Sequence, residues 1–507
     1  MKHAILITAY KDLSYLLKLI NCFDEDFNIY IHIDKKAIIP PYVISELKKR
    51  SNVRCFIKKY SINWGSMNHV KSILYLCKKA LSNSENEYIH LISGSDCLIK
   101  NIEFFKYFFR KNRQLNFLEF FTLPNSQWSG GGLNRLEWYH PLDNINIKSP
   151  KGYRLYSKII RAQQIKGEKR ELPTIPLYGG STWWSLSREC VHYIIINKNI
   201  HGLYNRMHDT LIPEEIYIPT IIMNSPFAES TVNDGLRYIC WEARNGNIPA
   251  ILDISDLIPI LKSNCFFARK IEWHISSNLF NTLHNITLSA LYINENSNSE
   301  QIIDQLFEFT TSHYNLCLWD GLYYGKMGII IFMFYYAQFK KDTSIKNHAY
   351  SLLEHIIQSI CNSNNSNYED GIIGVATGIE YLFYNGFIQD DTNDLLREID
   401  DSVFSVLNDH IHSSYDANII NIVYIKKYLK LRSLNPLSHD KRFTVYLNYL
   451  NNKEHFPYDT NITENIPSQE INLFINSIHI MGLFGYSGVG IQLIDKIMNK
   501  NSKLYLL

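Results

Sequence analysis

The 507-residue sequence predicts an α/β domain over residues 1–290 followed by an all-α domain over residues 301–507. Three observations carry this. Short apolar runs alternate with segments of helical period through the first part. A polar stretch, "NENSNSEQ" (294–301), then reads as a linker. Beyond it, long amphipathic helical patterns take over and a glycine-containing motif recurs. A chain of this length is also too long for one ordinary domain.

The first run, "AILITA" (4–9), is a buried strand, and "DLSYLLKLINCF" after it has helical spacing. "FNIYIHID" (27–34) is a second strand that ends in an acid. "MNHVKSILYLCKKAL" is a helix, "EYIHLISGSD" a strand, and "NIEFFKYFFRKN" a helix with Asn101 as its N-cap. Alternating strands and helices predict a mainly parallel sheet covered on both faces. Ligands of such sheets bind at the carboxyl ends of the strands, where Asp34 and Asp96 fall.

In the second part, the Gly-Ile steps at Gly328, Gly378 and Gly490 mark three copies of the motif, the last beginning at Gly482. The second gap is about twice the first. A worn copy, "YDANIINIVYIKKYL" from Tyr415, fills it, which makes four helical hairpins. The glycines let helix starts approach closely.

Composition excludes several classes. A formal net charge of +2 gives no electrostatic reason to expect nucleic acid or an anionic membrane surface as partner. The opening "MKHAILITAYKDL" is interrupted by charge too early for a signal peptide, and "MGIIIFMFYYAQF" from Met327 is too short to span a bilayer. The nine cysteines lack CxxC spacing and fit reduced thiols. A cytoplasmic protein is expected, with no integral membrane segment, though peripheral membrane association is compatible.

Four stretches could carry chemistry. "YIHLISGSDCLIKN" delivers a single acid, Asp96, from a strand to a loop. It lacks the second acid of an Asp-x-Asp metal site. "DED" at 24–26 matches that pattern by letters but precedes a strand, where a surface turn is expected. "GSTWWSLSREC" sets Trp183 and Trp184 beside a small-residue loop, as sugar-stacking faces or as core filler. "PEEIYIPTII" puts Glu214 and Glu215 in the first turn of a helix, where an acid complements the dipole or serves as a general base. "SNCFFARKIEW" joins two phenylalanines to Arg269 and Lys270, a cation pair able to neutralise a diphosphate, though such pairs often face solvent.

These stretches, with "YIHIDKK", "NWGSMNHVKSILYLCKKAL" and "LRYICW" and in this order, resemble the core-2/I-branching glycosyltransferases, glycosyltransferase family 14, which includes peptide O-xylosyltransferases. The resemblance implies a GT-A-like fold. It also implies inverting transfer from a UDP-sugar, usually UDP-N-acetylglucosamine or UDP-xylose, to a hydroxyl of a glycan or peptide. It implies no metal cofactor, basic side chains holding the diphosphate instead. By position, Glu215 matches the catalytic base and Lys270 the diphosphate lysine, with Arg244 as its companion or Arg269 in reserve. Ile7 and Asp34 match uridine-binding positions, Trp64 an aromatic near the base, and Asp96 the loop beside the nucleotide. Glu137, in "LNRLEWYHP", and Trp241 fall in acceptor-contacting regions, to which Trp183 and Trp184 are added.

The C-terminal glycine motifs resemble lanthionine synthetase C-like proteins, a family of α/α toroids whose zinc is held by two Cys and a His. Cys317, Cys361 and His479 lack that family's Cys-His-Gly context. The resemblance therefore implies a truncated, zinc-free helical domain that binds a peptide, mediates homodimerisation or covers the transferase.

Overall fold

The computed structural model describes residues 1–289, 297–317, 319–360, 368–369, 371–412, 419–453, 483, 486–498 and 504. Tyr415, Cys361, His479, Gly482 and residues 294–296 of the expected linker lie outside the described residues. The chain divides into two compact units, Met1–Ser289 and Ala290–Leu507.

The first unit holds a seven-stranded sheet in the order β3-β2-β1-β4-β7-β6-β8 and a three-stranded sheet in the order β5-β10-β9. The strands are β1 (Lys2–Ala9), β2 (Phe27–Ile33), β3 (Val53–Ile57), β4 (Asn86–Ser93), β5 (Asp96–Leu98), β6 (Asn116–Thr122), β7 (Tyr178–Ser187), β8 (Thr231–Val232), β9 (Arg237–Ile239) and β10 (Phe267–Arg269). The helices are α1 (Leu13–Ile20), α2 (Pro41–Lys49), α3 (Met67–Leu81), α4 (Ile102–Lys111), α5 (Asn134–Glu137), α6 (Pro150–Lys166), α7 (Arg188–Ile196), α8 (Leu203–Arg206), α9 (Glu214–Met223), α10 (Leu257–Lys262) and α11 (Trp273–Ser289).

Burial explains the apolar runs. β1 lies between β2 and β4, parallel to both, and its residues Ala4 to Ile7 are fully buried. Such continuous burial is what a parallel strand covered on two faces requires. On one face, Ala4, Leu6, Ile89 and Leu91 pack with α3, α7 and α9. On the other, His3 and His90 meet at 3.1 Å within a cluster formed with Phe27, Phe105 and Phe109. Burial lowers the basicity of both imidazoles, and the nearby Arg237 guanidinium, which donates to Ser185 Oγ, acts on His90 in the same sense. Asn101 caps α4 as expected, its side chain accepting from the amides of Glu103 and Phe104.

The large sheet is mainly parallel, as expected: β3, β2, β1 and β4 run parallel and β6 runs parallel to β8, while β7 is antiparallel to both of its neighbours, β4 and β6. Two other expectations are corrected. "GSTWWSLS" is no loop but the centre of β7. Its small residues serve close packing, since a Cβ on Gly180 would lie 2.0 Å from the Glu119 carbonyl oxygen of β6. Asp96 begins a short strand, β5, that pairs with β10.

The described part of the second unit is helical: α12 (Ser299–Ser312), α13 (Lys326–Lys340), α14 (Thr343–Ile360), α15 (Ile372–Tyr384), α16 (Thr392–His412), α17 (Ile419–Leu434), α18 (Arg442–Lys453) and α19 (Tyr486–Ile497). The motif glycines fall on α13, α15 and α19, and α17 holds the place of the worn copy. These four pack in the spatial order α19, α13, α15, α17; α12 packs against α19 and α13, α14 against α13, α16 against α15, and α18 against α17. A Cβ on Gly378 would lie 2.6 Å from Met327, and one on Gly490 would lie 2.3 Å from the Phe332 ring. Close approach is thus what these glycines permit. Between α15, α16 and α17, the buried Arg432 joins Glu380 (2.7 Å) and Asp400 (2.5 Å).

Candidate active site

The carboxyl ends of β1, β2 and β4 bring Tyr10, Lys11, Asp34 and Ser93 to one edge of the large sheet. There Gly94 turns tightly, its amide donating to the Thr8 carbonyl at 2.9 Å; a Cβ on it would lie 2.8 Å from that of Ala9. Asp34 is buried; its Oδ1 accepts from the Lys36 amide at 2.8 Å, and Oδ2 lies 3.7 Å from the Lys36 ammonium. Ile7 is two residues short of the strand end and fully buried, so its side chain supports the sheet from within.

Asp96 is completely buried and engaged. Its Oδ1 accepts from the Ser93 hydroxyl at 2.6 Å and its Oδ2 from the Ser93 amide at 3.0 Å. The strand pairing of β5 with β10 sets Arg269 opposite Asp96, and Arg269 Nε lies 3.3 Å from its Oδ1. The Arg269 guanidinium also covers the Trp183 ring at 4.1 Å. Burial pulls this guanidinium below its usual range, while Asp96 and Glu215 favour its charge.

Lys270 follows at once. Its backbone is held on both sides: the Leu252 amide donates to the Lys270 carbonyl at 2.9 Å, and the Ile271 amide donates to the Ser95 carbonyl at 2.8 Å. Burial lowers its ammonium from the usual lysine range, with Lys11, Arg269 and Lys148 acting in the same sense against Glu272. Lys148 also sits 4.9 Å over the half-exposed ring of Trp64. The site therefore carries four clustered cations, Lys11, Lys148, Arg269 and Lys270, on one side of the sheet edge.

Glu215 lies in the first turn of α9. The Ile212 amide donates to the Gly65 carbonyl (3.0 Å) and the Leu211 amide to the Arg135 carbonyl (3.1 Å), so the loop after Trp64 and helix α5 both fix its approach. Gly65 has φ +76°, a conformation that favours glycine. Arg135 donates to Glu215 Oε2 at 2.7 Å and stacks on Trp128 at 3.6 Å. Burial pushes the Glu215 carboxyl up to about 6; Arg135 opposes the shift, Glu214 adds to it, and Arg269 opposes it. The side chain keeps 26 % of its surface exposed, so it is reachable from solvent. Its neighbour Glu214 is buried and turned away, accepting from His69 Nδ1 at 2.9 Å. His69 in turn reaches the Thr8 hydroxyl at 3.4 Å.

The structure thus brings Asp34, Asp96, Arg269, Lys270, Glu215 and Trp64 to the strand ends and the loops above them. The remaining candidates have other surroundings. Trp184 is fully buried in the core, where no sugar can stack on it. Trp183 is 7 % exposed and offers a face to Arg269. Both follow from their places in a central strand. Arg244 gives its guanidinium to Asp256, with both contacts at 2.6 Å, and to Asp253 at 3.3 Å. It clamps the turn before α10, and Arg269 is the arginine beside Lys270. Glu137 ends α5 in an ion pair with Lys169 at 2.9 Å. Trp241 is 67 % exposed. The pair Asp24 and Asp26 binds Lys106 on the surface, as a turn before a strand should.

Sequence reasoning did not single out Tyr10, Lys11, Arg135, Lys148 or Glu272. Lys11 had a usable signal, because it follows a strand whose carboxyl end faces the site. Arg135 lies two residues before Glu137 in a stretch already singled out. Lys148 and Glu272 have no local signal.

The sequence profile of the Core-2/I-Branching enzyme family matches residues 4–260, and the chain belongs to that family. It is similar to xylosyltransferase 2 of Rattus norvegicus, with 29 % identity over 245 residues, 47 % of this chain and 26 % of the relative. It is also similar to xylosyltransferase 1 of Homo sapiens, with 25 % identity over 233 residues, 44 % of this chain and 22 % of the relative. The match thus spans about a quarter of the length of these relatives. Among the described residues, no helix is long and apolar enough to cross a membrane.

Proposed function

We propose that this protein is a glycosyltransferase that moves a sugar, GlcNAc or xylose, from a UDP-sugar to a hydroxyl of a glycan or peptide acceptor. The observation that carries the reading is the convergence at one sheet edge of a carboxylate tuned to about 6, Glu215, and the adjacent cations Arg269 and Lys270. Glu215 removes the acceptor proton as the hydroxyl attacks the anomeric carbon. The attack comes from the face opposite UDP, so the configuration inverts. A base is most useful with a pKa near the working pH, and burial brings Glu215 there from the ordinary carboxylate range.

As the glycosidic bond breaks, negative charge grows on the diphosphate. Arg269 and Lys270, fixed by strand pairing and backbone hydrogen bonds, stabilise that charge more in the transition state than in the ground state. A metal-independent reaction is supported by Asp96, whose two oxygens are already held by Ser93 and Arg269. Asp34, at the end of β2, and Trp64 are read as the uridine side of the site, and Trp241 and Glu137 as the acceptor side. The fold is read as GT-A-like. The helical unit is read as a truncated, zinc-free toroid-like domain that binds a peptide acceptor or pairs two copies, and the cell compartment as cytoplasmic.

The test is release of UDP from a panel of UDP-sugars in excess EDTA, with mixed glycan and peptide acceptors, for wild type and Glu215→Gln. Turnover of one UDP-sugar by wild type, lost in the variant, supports the reading. Turnover that requires added divalent metal contradicts the metal-free part. No release by wild type from any donor contradicts the whole.

A further inference from the structure

The cation cluster contains one carboxylate that a diphosphate-binding role does not call for. Glu272 Oε1 lies 2.5 Å from the Lys11 ammonium and 4.0 Å from that of Lys270. It is not a stray surface acid. The side chain is 16 % exposed, and its backbone is fixed at the start of α11, where the Glu272 amide donates to the Ser276 hydroxyl at 3.1 Å and the Ser276 amide returns to the Glu272 carbonyl at 2.8 Å. Lys11 is equally placed. It follows β1 by two residues, and Asp12 beyond it binds the Tyr15 amide (3.3 Å) and the Trp273 amide (3.2 Å), tying the start of α1 to the start of α11. Two backbone anchors therefore hold the Lys11–Glu272 pair beside Lys270.

We propose that Glu272 is an internal competitor of the donor's diphosphate: it holds Lys11 by ion pairing, and the diphosphate displaces it to take Lys11 as a further cationic contact. This inference rests on the reading of Arg269 and Lys270 as the diphosphate clamp. A diphosphate brought against Lys270 comes within a few ångströms of the Glu272 carboxylate, and like charges at that range repel. The repulsion is relieved if Glu272 gives up Lys11, whose flexible stem can then turn to the phosphate oxygens. The device makes binding of the charged donor weaker than the cations alone would give, and it favours release of UDP after transfer.

The experiment is calorimetric titration of the full chain with UDP and, separately, with uridine, at 0.15 M salt, for wild type, Glu272→Gln, Lys11→Met and the double variant. Thermal unfolding of each variant confirms that it is folded. Glu272→Gln is expected to bind UDP about threefold or more tighter with uridine unchanged, the size of a partly exposed charge pair. Lys11→Met is expected to weaken UDP alone, and Glu272→Gln to gain less in its presence. Unchanged or weaker UDP binding by Glu272→Gln overturns the proposal, since it makes Glu272 a positioning group for Lys11. An equal change for uridine and UDP also overturns it. Wild type that binds neither ligand instead refutes the diphosphate site itself, and this inference falls with it.

Discussion

Replacing Glu215 by glutamine separates the proposed base from the fold. The change removes one ionisable group but keeps the shape and an oxygen that can accept from Arg135, 2.7 Å away. Loss of a positioned general base lowers kcat/KM by about 100- to 10,000-fold, or roughly 3 to 5 kcal/mol of transition-state stabilisation. Stability moves the other way. The folded-state pKa of about 6 exceeds the ordinary carboxylate value of 4.5, so the folded chain binds this proton more tightly than the unfolded chain does. Ionised Glu215 therefore costs stability. The cost is absent below about pH 4.5, grows as pH rises through 6, and reaches roughly 2 kcal/mol at neutral pH, somewhat less given the side chain's partial exposure. Glu215→Gln is expected to be more stable than wild type at pH 7.5 and equal to it at pH 4. The wild-type profile of kcat/KM against pH should fall on the acid side near 6, and the residual activity of the variant should lack that limb. Steady-state transfer from the preferred UDP-sugar, with chemical denaturation at the two pH values, measures all of this. A variant within fivefold of wild type, or an acid limb at an ordinary carboxylate pKa, would refute the reasoning.

Three further outcomes follow from the same contacts. Arg135→Gln removes the group that opposes the rise of the Glu215 pKa, so the acid limb of the pH–rate profile should move upward; a limb that stays in place contradicts the pairing. Arg244→Ala leaves the buried Asp256 without its bidentate partner, and urea unfolding should show a loss of about 1–3 kcal/mol, with UDP affinity within twofold of wild type. Arg432→Met strands the buried Glu380 and Asp400 and should destabilise the helical unit by about 3–5 kcal/mol in denaturant melts; a loss below about 1 kcal/mol contradicts the buried pairing.

Much of this was legible in the sequence because it rests on local pattern. The runs at β1, β2 and β4 are continuous and apolar because both faces of those strands are covered. Asn101 and the Pro213–Glu215 stretch announce their helices by cap chemistry and first-turn acids. The strand ends at Asp34 and Asp96 nominated the site by position alone. What stayed hidden depends on approach between distant segments. β5 is three residues long, too short for a period to show, yet its pairing with β10 sets Arg269 opposite Asp96, whereas Arg244 is engaged by Asp256. The glycines of β7 look like a loop until the Glu119 carbonyl is seen where a Cβ would stand. The tryptophan pair reads equally as stacking face or core filler, and only burial tells the two apart. Lys148, Arg135 and Glu272 enter the site through long-range packing that no local spacing encodes.

In the proposed reaction Arg269 and Lys270 bind the diphosphate of a UDP-sugar without a metal. Calorimetric titration of a UDP-sugar panel in excess EDTA, comparing wild type with Lys270→Ala, tests it most directly. Wild type is expected to bind in EDTA, with one donor sugar preferred and affinity for it weakened about tenfold or more by the substitution. Binding that appears only with added divalent cation, or that is equal in wild type and Lys270→Ala, would contradict it.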